Sequence, residues 1–420
     1  MRRLTVVALL ISLLVSLPAG SATAVAAPRQ GVTNPGMVTE IGSGATDGPV
    51  AATGTQLPPL PEELQQPSIH AQMLADHEDD PVAFEPGDEP SLSLEEGLAN
   101  LSSAGKPGLA DGMADGLAAE GGIGSVQATR LPNGLRKEIF GFLPYWMVNE
   151  SALSSMNYQL VSSIAYFSVN VKADGSLAKG TSTSPSSGWA GWNSSAMTQV
   201  IERAHQHGVR VVLTVTMMSW DSASAGRQAK LLTTPEARRK LVSQIVGAIR
   251  NRGADGVNLD FEPLATSLRD EYASFVRQLK RGLENAGVGD YLTVCVMAGS
   301  ATWATGYDIP ALTADGAADA LFVMGYDYHW SGSSRAGGVA PIDSPYTIDV
   351  AGTMADFLTQ TSGSKLIWGV PYYGRTWLTE TKVLNARTLG HGSKAYTYTG
   401  HLSQAGRYGR RWDDVGKVPW

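Results

Sequence analysis

The segment Ala254–Pro263, ADGVNLDFEP, holds the residue types best suited to chemistry in this chain of 420 residues. Side chains alternate faces along a strand, so Asn258, Asp260 and Glu262 share one face while Val257, Leu259 and Phe261 take the other. Three polar groups turned inward from one strand cost a core dearly unless they serve a site. A calcium loop is the competing use of such a run. It places Gly at its sixth position and Glu at its twelfth, a pattern absent here, so the spacing favours a catalytic carboxylate set.

The elements that would position this strand can be read around it. Strands are expected at Ile139 to Trp146, Ser163 to Val171, Arg210 to Met217, Gly256 to Phe261, Leu292 to Ala298, Ala320 to Tyr326 and Lys365 to Pro371. Amphipathic helices lie between them, the alternation of parallel βαβ units. Thr234 and Pro235 mark one helix start and Gly253 its end; Ser267 and Gly287 bound the next. Seven units fit an open doubly wound sheet or most of a (β/α)8 barrel. No GxGxxG follows the first strand. FGFLPYW stands there instead, with aromatic residues including Trp146 at the strand's carboxyl end, which favours the barrel.

Composition divides the chain before this region. Of 32 aromatic residues only Phe84 precedes Phe140, and residues 28–130 carry 16 acidic against 3 basic residues. Such a segment buries too little apolar surface to offset chain entropy and reads as a disordered acidic spacer or propeptide. We therefore divide the chain into residues 1–27, 28–135 and a barrel at 136–420. Residues 131–420 carry a net charge of only +4, so no strongly basic domain is present and nucleic-acid binding is disfavoured.

Residues 1–27 read as a secretory signal peptide: Arg2 and Arg3, the apolar run Leu4 to Leu17, then small residues suited to cleavage. The run is shorter than a spanning helix needs, so export without stable membrane insertion is expected, to the exterior or the cell wall. The single cysteine, Cys295, excludes an internal disulfide and lies in an apolar strand. His205 and His207 are two apart on a helix and face different ways, so they do not suit a shared metal.

The strand motif Asp255-Gly256-Val257-Asn258-Leu259-Asp260-Phe261-Glu262 resembles the DGxDxDxE of glycoside hydrolase family 18, the chitinase-like TIM barrels. Met324-Gly325-Tyr326-Asp327 resembles the family's MxYD, and Gly369 to Arg375, GVPYYGR, its seventh-strand segment. The resemblance implies substrate-assisted, retaining hydrolysis of polymers of β-linked N-acetylglucosamine, without metal or cofactor. Glu262 would be the proton donor, Asp260 the residue orienting the acetamido group, and Tyr326 its hydrogen-bond partner. Asn258, Met324, Asp327, Tyr373, Arg375 and Trp146 would border the sugar. Chitin is the default substrate, peptidoglycan the rival, and a lectin-like binder that does not catalyse the alternative of another class. A monomer is expected.

Three departures from the family pattern stand out. Asn258 replaces the commoner Asp, the third strand lacks the usual SxGG and ends in Met217 and Met218, and no eighth strand is recognisable after Arg375. The barrel is therefore expected to be incomplete, with seven encoded strands and unpaired edges.

Overall fold

A computed structural model describes residues 10–13, 69–76, 131, 133–344 and 348–420. Most of the residues read as an acidic spacer, 28–68 and 77–130, lie outside that range. The sheet contains seven parallel strands in sequential order: β2 (Ile139–Pro144), β3 (Ser163–Asn170), β4 (Arg210–Met218), β5 (Gly256–Glu262), β6 (Tyr291–Met297), β7 (Ala320–Met324) and β8 (Leu366–Trp368). This is the expected incomplete (β/α)8 barrel. The seven strands fall where hydrophobic alternation places them, with ends shifted by a few residues.

Among the described residues, two short elements precede the barrel. Strand β1 (Leu10–Leu13) pairs antiparallel with β2, Leu10 opposite Phe142 and Leu13 opposite Ile139, and lies beside β8. In the full chain the edge of β2 is thus hydrogen-bonded rather than bare, because four residues of the apolar run Leu4 to Leu17 satisfy its backbone groups. Helix α1 (Ile69–Asp76) lies within the acidic stretch. Its composition gave no sign of order; its contacts are made at long range, inside the barrel.

The outer layer follows from helix start and stop chemistry. The helix Pro235–Arg252 begins with Pro at its first turn and ends at Gly253, whose φ of 61° is the left-handed conformation that only glycine adopts without strain. Leu241, Ile245 and Ile249 are its buried stripe. The next long helix, Arg269–Ala286, buries Tyr272, Phe275, Val276, Leu279 and Leu283 and ends at Gly287.

Beyond β8 the chain leaves the barrel sheet. Strands β9 (Tyr373–Thr376) and β10 (Lys394–Thr397) form a separate antiparallel pair, with Tyr373 opposite Thr397 and Arg375 opposite Ala395. Among the described residues no eighth parallel strand follows, and no helix is long and apolar enough to cross a membrane.

Candidate active site

Every residue of β5 is buried. The outward set packs on a helix: the Phe261 ring lies 5.6 Å from that of Tyr272 and 6.1 Å from that of Phe275. Tyr307 donates from its hydroxyl to the Phe261 carbonyl at 2.6 Å. These contacts fix the rotation of the strand, so Asn258, Asp260 and Glu262 face the lumen at 0% exposure.

Asp255 anchors the start of the strand. Its Oδ2 accepts from the Val211 N–H at 2.6 Å and lies 2.9 Å from His205 Nε2. Burial opposes charge on His205, and Asp255 outweighs it, so the histidine's pKa is raised. His207 turns elsewhere, donating from Nδ1 to the Arg203 carbonyl at 2.8 Å, so the two histidines share no ligand.

Asn258 lies at the base of the polar face and is held on both ends of its amide. Thr293 Oγ1 donates to its Oδ1 at 2.8 Å, and its Nδ2 donates to Thr214 Oγ1 at 3.4 Å. Cys295 Sγ lies 3.4 Å from Nδ2. A neutral amide that both donates and accepts suits this shelf; a carboxylate could only accept.

The upper carboxylates are less satisfied. Among the described residues, Asp260 Oδ1 and both Glu262 carboxyl oxygens have no hydrogen-bond partner. Burial, then the adjacent charge of Asp260, pushes the Glu262 pKa up to about 8, against the opposing pull of His70. An ordinary carboxyl is almost wholly ionised at neutral pH. This one retains its proton, the state a general acid requires.

Tyr326 enters from the loop after β7. The chain bends there because Gly325 packs directly on the Trp368 indole, where a Cβ would come within 2.4 Å, and because Asp327 adopts a φ of 58°. Asp327 accepts a short hydrogen bond from the Tyr373 hydroxyl, and the rings of Tyr326 and Tyr373 meet edge to face at 6.1 Å. Met324 packs into the lumen cluster beneath them. Trp146 follows β2 with its ring 6.3 Å from Phe167. Arg375, on β9, donates from Nη1 to Ser393 Oγ at 3.1 Å. Of the nine residues singled out from the sequence, Met324 and Tyr326 belong to one lumen cluster, Trp146 and Tyr373 pack against it, and Tyr373 holds Asp327.

Two residues in the cleft had no signal in the local sequence. His70, on α1, is 3% exposed and enters the pocket from above the strand ends. Its Nδ1 lies 2.9 Å from Asp260 Oδ2 and 3.4 Å from Glu262 Oε1, and its Nε2 lies 2.8 Å from the Tyr326 hydroxyl. Burial opposes its positive charge, but Asp260 and Glu262 together outweigh burial and raise its pKa to about 10. Gln72 Oε1 accepts from Arg375 Nη2 at 2.9 Å. His70, Asp260 and Glu262 also bring three potential ligand atoms within 4.8 Å of one another, a spacing that could hold a divalent cation.

The glycosyl hydrolases family 18 model matches residues 138–420. The chain belongs to glycosyl hydrolase family 18. A solved structure, the Group IV chitinase of Ostrinia furnacalis, superposes over 67% of this chain and 82% of its own, with a TM-score of 0.57 at 20% identity. Sequence relatives include "Putative sporulation-specific glycosylase YdhD" of Bacillus subtilis (strain 168), 33% identical over 42% of this chain and 41% of that protein. Chitinase A1 of Niallia circulans is 24% identical over 50% of this chain and 35% of its own length. The cortical fragment-lytic enzyme of Bacillus anthracis is 23% identical over 51% and 45%. The chain spans less than half the length of each of these three relatives.

Proposed function

We propose that this family 18 chain hydrolyses polymers of β-linked N-acetylglucosamine, with Glu262 as proton donor and the sugar's own acetamido group as nucleophile. The observation that carries this reading is geometric: Asp260 and Glu262 lie together at 0% exposure with carboxyl oxygens that have no hydrogen-bond partner among the described residues, and the Tyr326 hydroxyl stands on the far side of the His70 ring that both carboxylates approach. Glu262 gives its proton to the glycosidic oxygen as the acetamido carbonyl oxygen attacks the anomeric carbon, so the leaving sugar departs as an alcohol. Asp260 accepts a hydrogen bond from the acetamido N–H and stabilises the cationic ring that forms. Tyr326 donates its hydroxyl proton to the acetamido carbonyl. Water then opens the ring, its proton returning to Glu262, and configuration is retained.

Chitin is the leading substrate. Cell-wall peptidoglycan is the second reading, and the likeness to a sporulation-specific glycosylase and a cortical fragment-lytic enzyme favours it. Release of reducing ends from chitooligosaccharides, compared with release from purified wall sacculi, separates them. Turnover of neither would reject the reading. A lectin-like role is disfavoured because the acid is retained. We also propose export directed by residues 1–27, tested by whether protein recovered outside the cell lacks those residues; intact protein retained inside would refute it.

A further inference from the structure

Four polar contacts converge on the sugar pocket from a segment with no place in that chemistry. α1 lies over the strand ends, and from its first turn His70 inserts between the carboxylates of β5 and the Tyr326 hydroxyl. The imidazole is flanked edge to face by Phe142 and Phe167, each ring centroid 5.3 Å away. Two residues along, Gln72 meets Arg375, and one turn beyond His70, Leu74 packs on the lumen cluster.

The shape of the occupant matters as much as its presence. Imidazole is a planar five-membered ring with nitrogen at two edges, one facing Asp260 and the other facing Tyr326. The ring formed when an acetamido oxygen closes on the anomeric carbon is also five-membered and planar, carries positive charge, and presents N–H to Asp260. We propose that α1 is a built-in competitive occupant of the pocket, its His70 imidazole seated where that cationic sugar ring forms. This inference rests on the proposed hydrolysis for its meaning, but the docking it describes is a matter of geometry alone. Residues 77–130 tether α1 to the barrel, so docking is intramolecular and competes with free sugar at an effective concentration set by the tether.

Sugar must displace the helix, so the apparent affinity is lowered by the fraction of undocked molecules. In full-length His70→Ala and His70→Ala/Gln72→Ala chains, KM for a chitooligosaccharide should fall at least tenfold while kcat stays within twofold. Loss of activity, or an unchanged KM, would assign α1 a merely supporting role and overturn the proposal. Activity of the wild-type chain released by EDTA would place a metal between His70 and the carboxylates, and would equally overturn a direct plug. A second measurement does not depend on turnover: diethylpyrocarbonate labelling of the full chain, read by mass spectrometry. Docking predicts that His70 is protected in the native chain and labelled after denaturation. Protection in the native chain, with neither wild type nor His70→Ala turning over any N-acetylglucosamine polymer, would sustain the plug while refuting the hydrolase reading, and free labelling of native His70 would refute the plug itself.

Discussion

Replacing Glu262 by Gln keeps the shape of the pocket and removes its transferable proton, and the structure fixes how large the effect should be. With its pKa pushed up to about 8, Glu262 is protonated in about nine tenths of molecules at pH 7, whereas a carboxyl at the ordinary 4.5 would be so in about three in a thousand. That difference, on the order of 10²-fold, is worth roughly 3 kcal/mol of readiness for proton donation at neutral pH. Positioned general acids contribute roughly 10²- to 10⁴-fold, so Glu262→Gln should lower kcat on an unactivated chitooligosaccharide by that range, about 2.7–5.5 kcal/mol. The assay compares two leaving groups at saturating substrate, which cancels the docking of α1. A dinitrophenyl glycoside departs without needing a proton, so its cleavage step should suffer far less than that of the oligosaccharide. Equal losses on both substrates, or more than about a tenth of wild-type turnover retained on the oligosaccharide, would refute the assignment of Glu262 as acid.

The remaining predictions concern charge and packing around the same strand. The wild-type rate should persist well above the ordinary carboxyl range and fall on the alkaline side as pH rises through the raised pKa of Glu262, because ionisation removes the acid; a fall centred near pH 4.5 would contradict this. Asp260→Asn removes the charge that helps keep Glu262 protonated, so the alkaline limb of the residual activity should move to lower pH by roughly one to two units; no movement would show that burial alone sets it. Asn258→Asp adds a buried charge beneath the pair and should move that limb to higher pH, with a loss of stability because Nδ2 no longer donates to Thr214. Phe261→Ala empties the contact with Tyr272 and Phe275 and should cost about 3–5 kcal/mol, read as a fall in Tm of roughly 5–15 °C; a change under 2 °C would mean that the outward face does not fix the strand.

The barrel and the floor of its site were legible because both depend on local pattern. Alternation in GVNLDFE put Val257, Leu259 and Phe261 on one face and Asn258, Asp260 and Glu262 on the other, and the packing of Phe261 bears this out. Pro235 and Gly253 marked one long helix through backbone conformations that few other residues favour. Strand ends were less exact: the reading carried the strand from Ala320 to Tyr326, whereas β7 stops at Met324, since the close approach of Trp368 to Gly325 is invisible along the chain. The role of Asp255 as an anchor for His205 and the Val211 N–H was missed for the same reason. Most opaque was α1. IHAQMLAD, set in acidic sequence, carries no strong apolar stripe, and its partners Asp260 and Tyr326 are 190 and 256 residues away.

The central claim is that a buried carboxyl and an acidic neighbour cleave a sugar that supplies its own nucleophile. NMR of the first products, with an N-acetylglucosamine oligomer and its glucose counterpart compared side by side, tests this most directly. The account predicts that the acetamido sugar alone is cleaved and that the new reducing end appears first as the β anomer. Comparable cleavage of the glucose oligomer, or initial release of the α anomer, would contradict it.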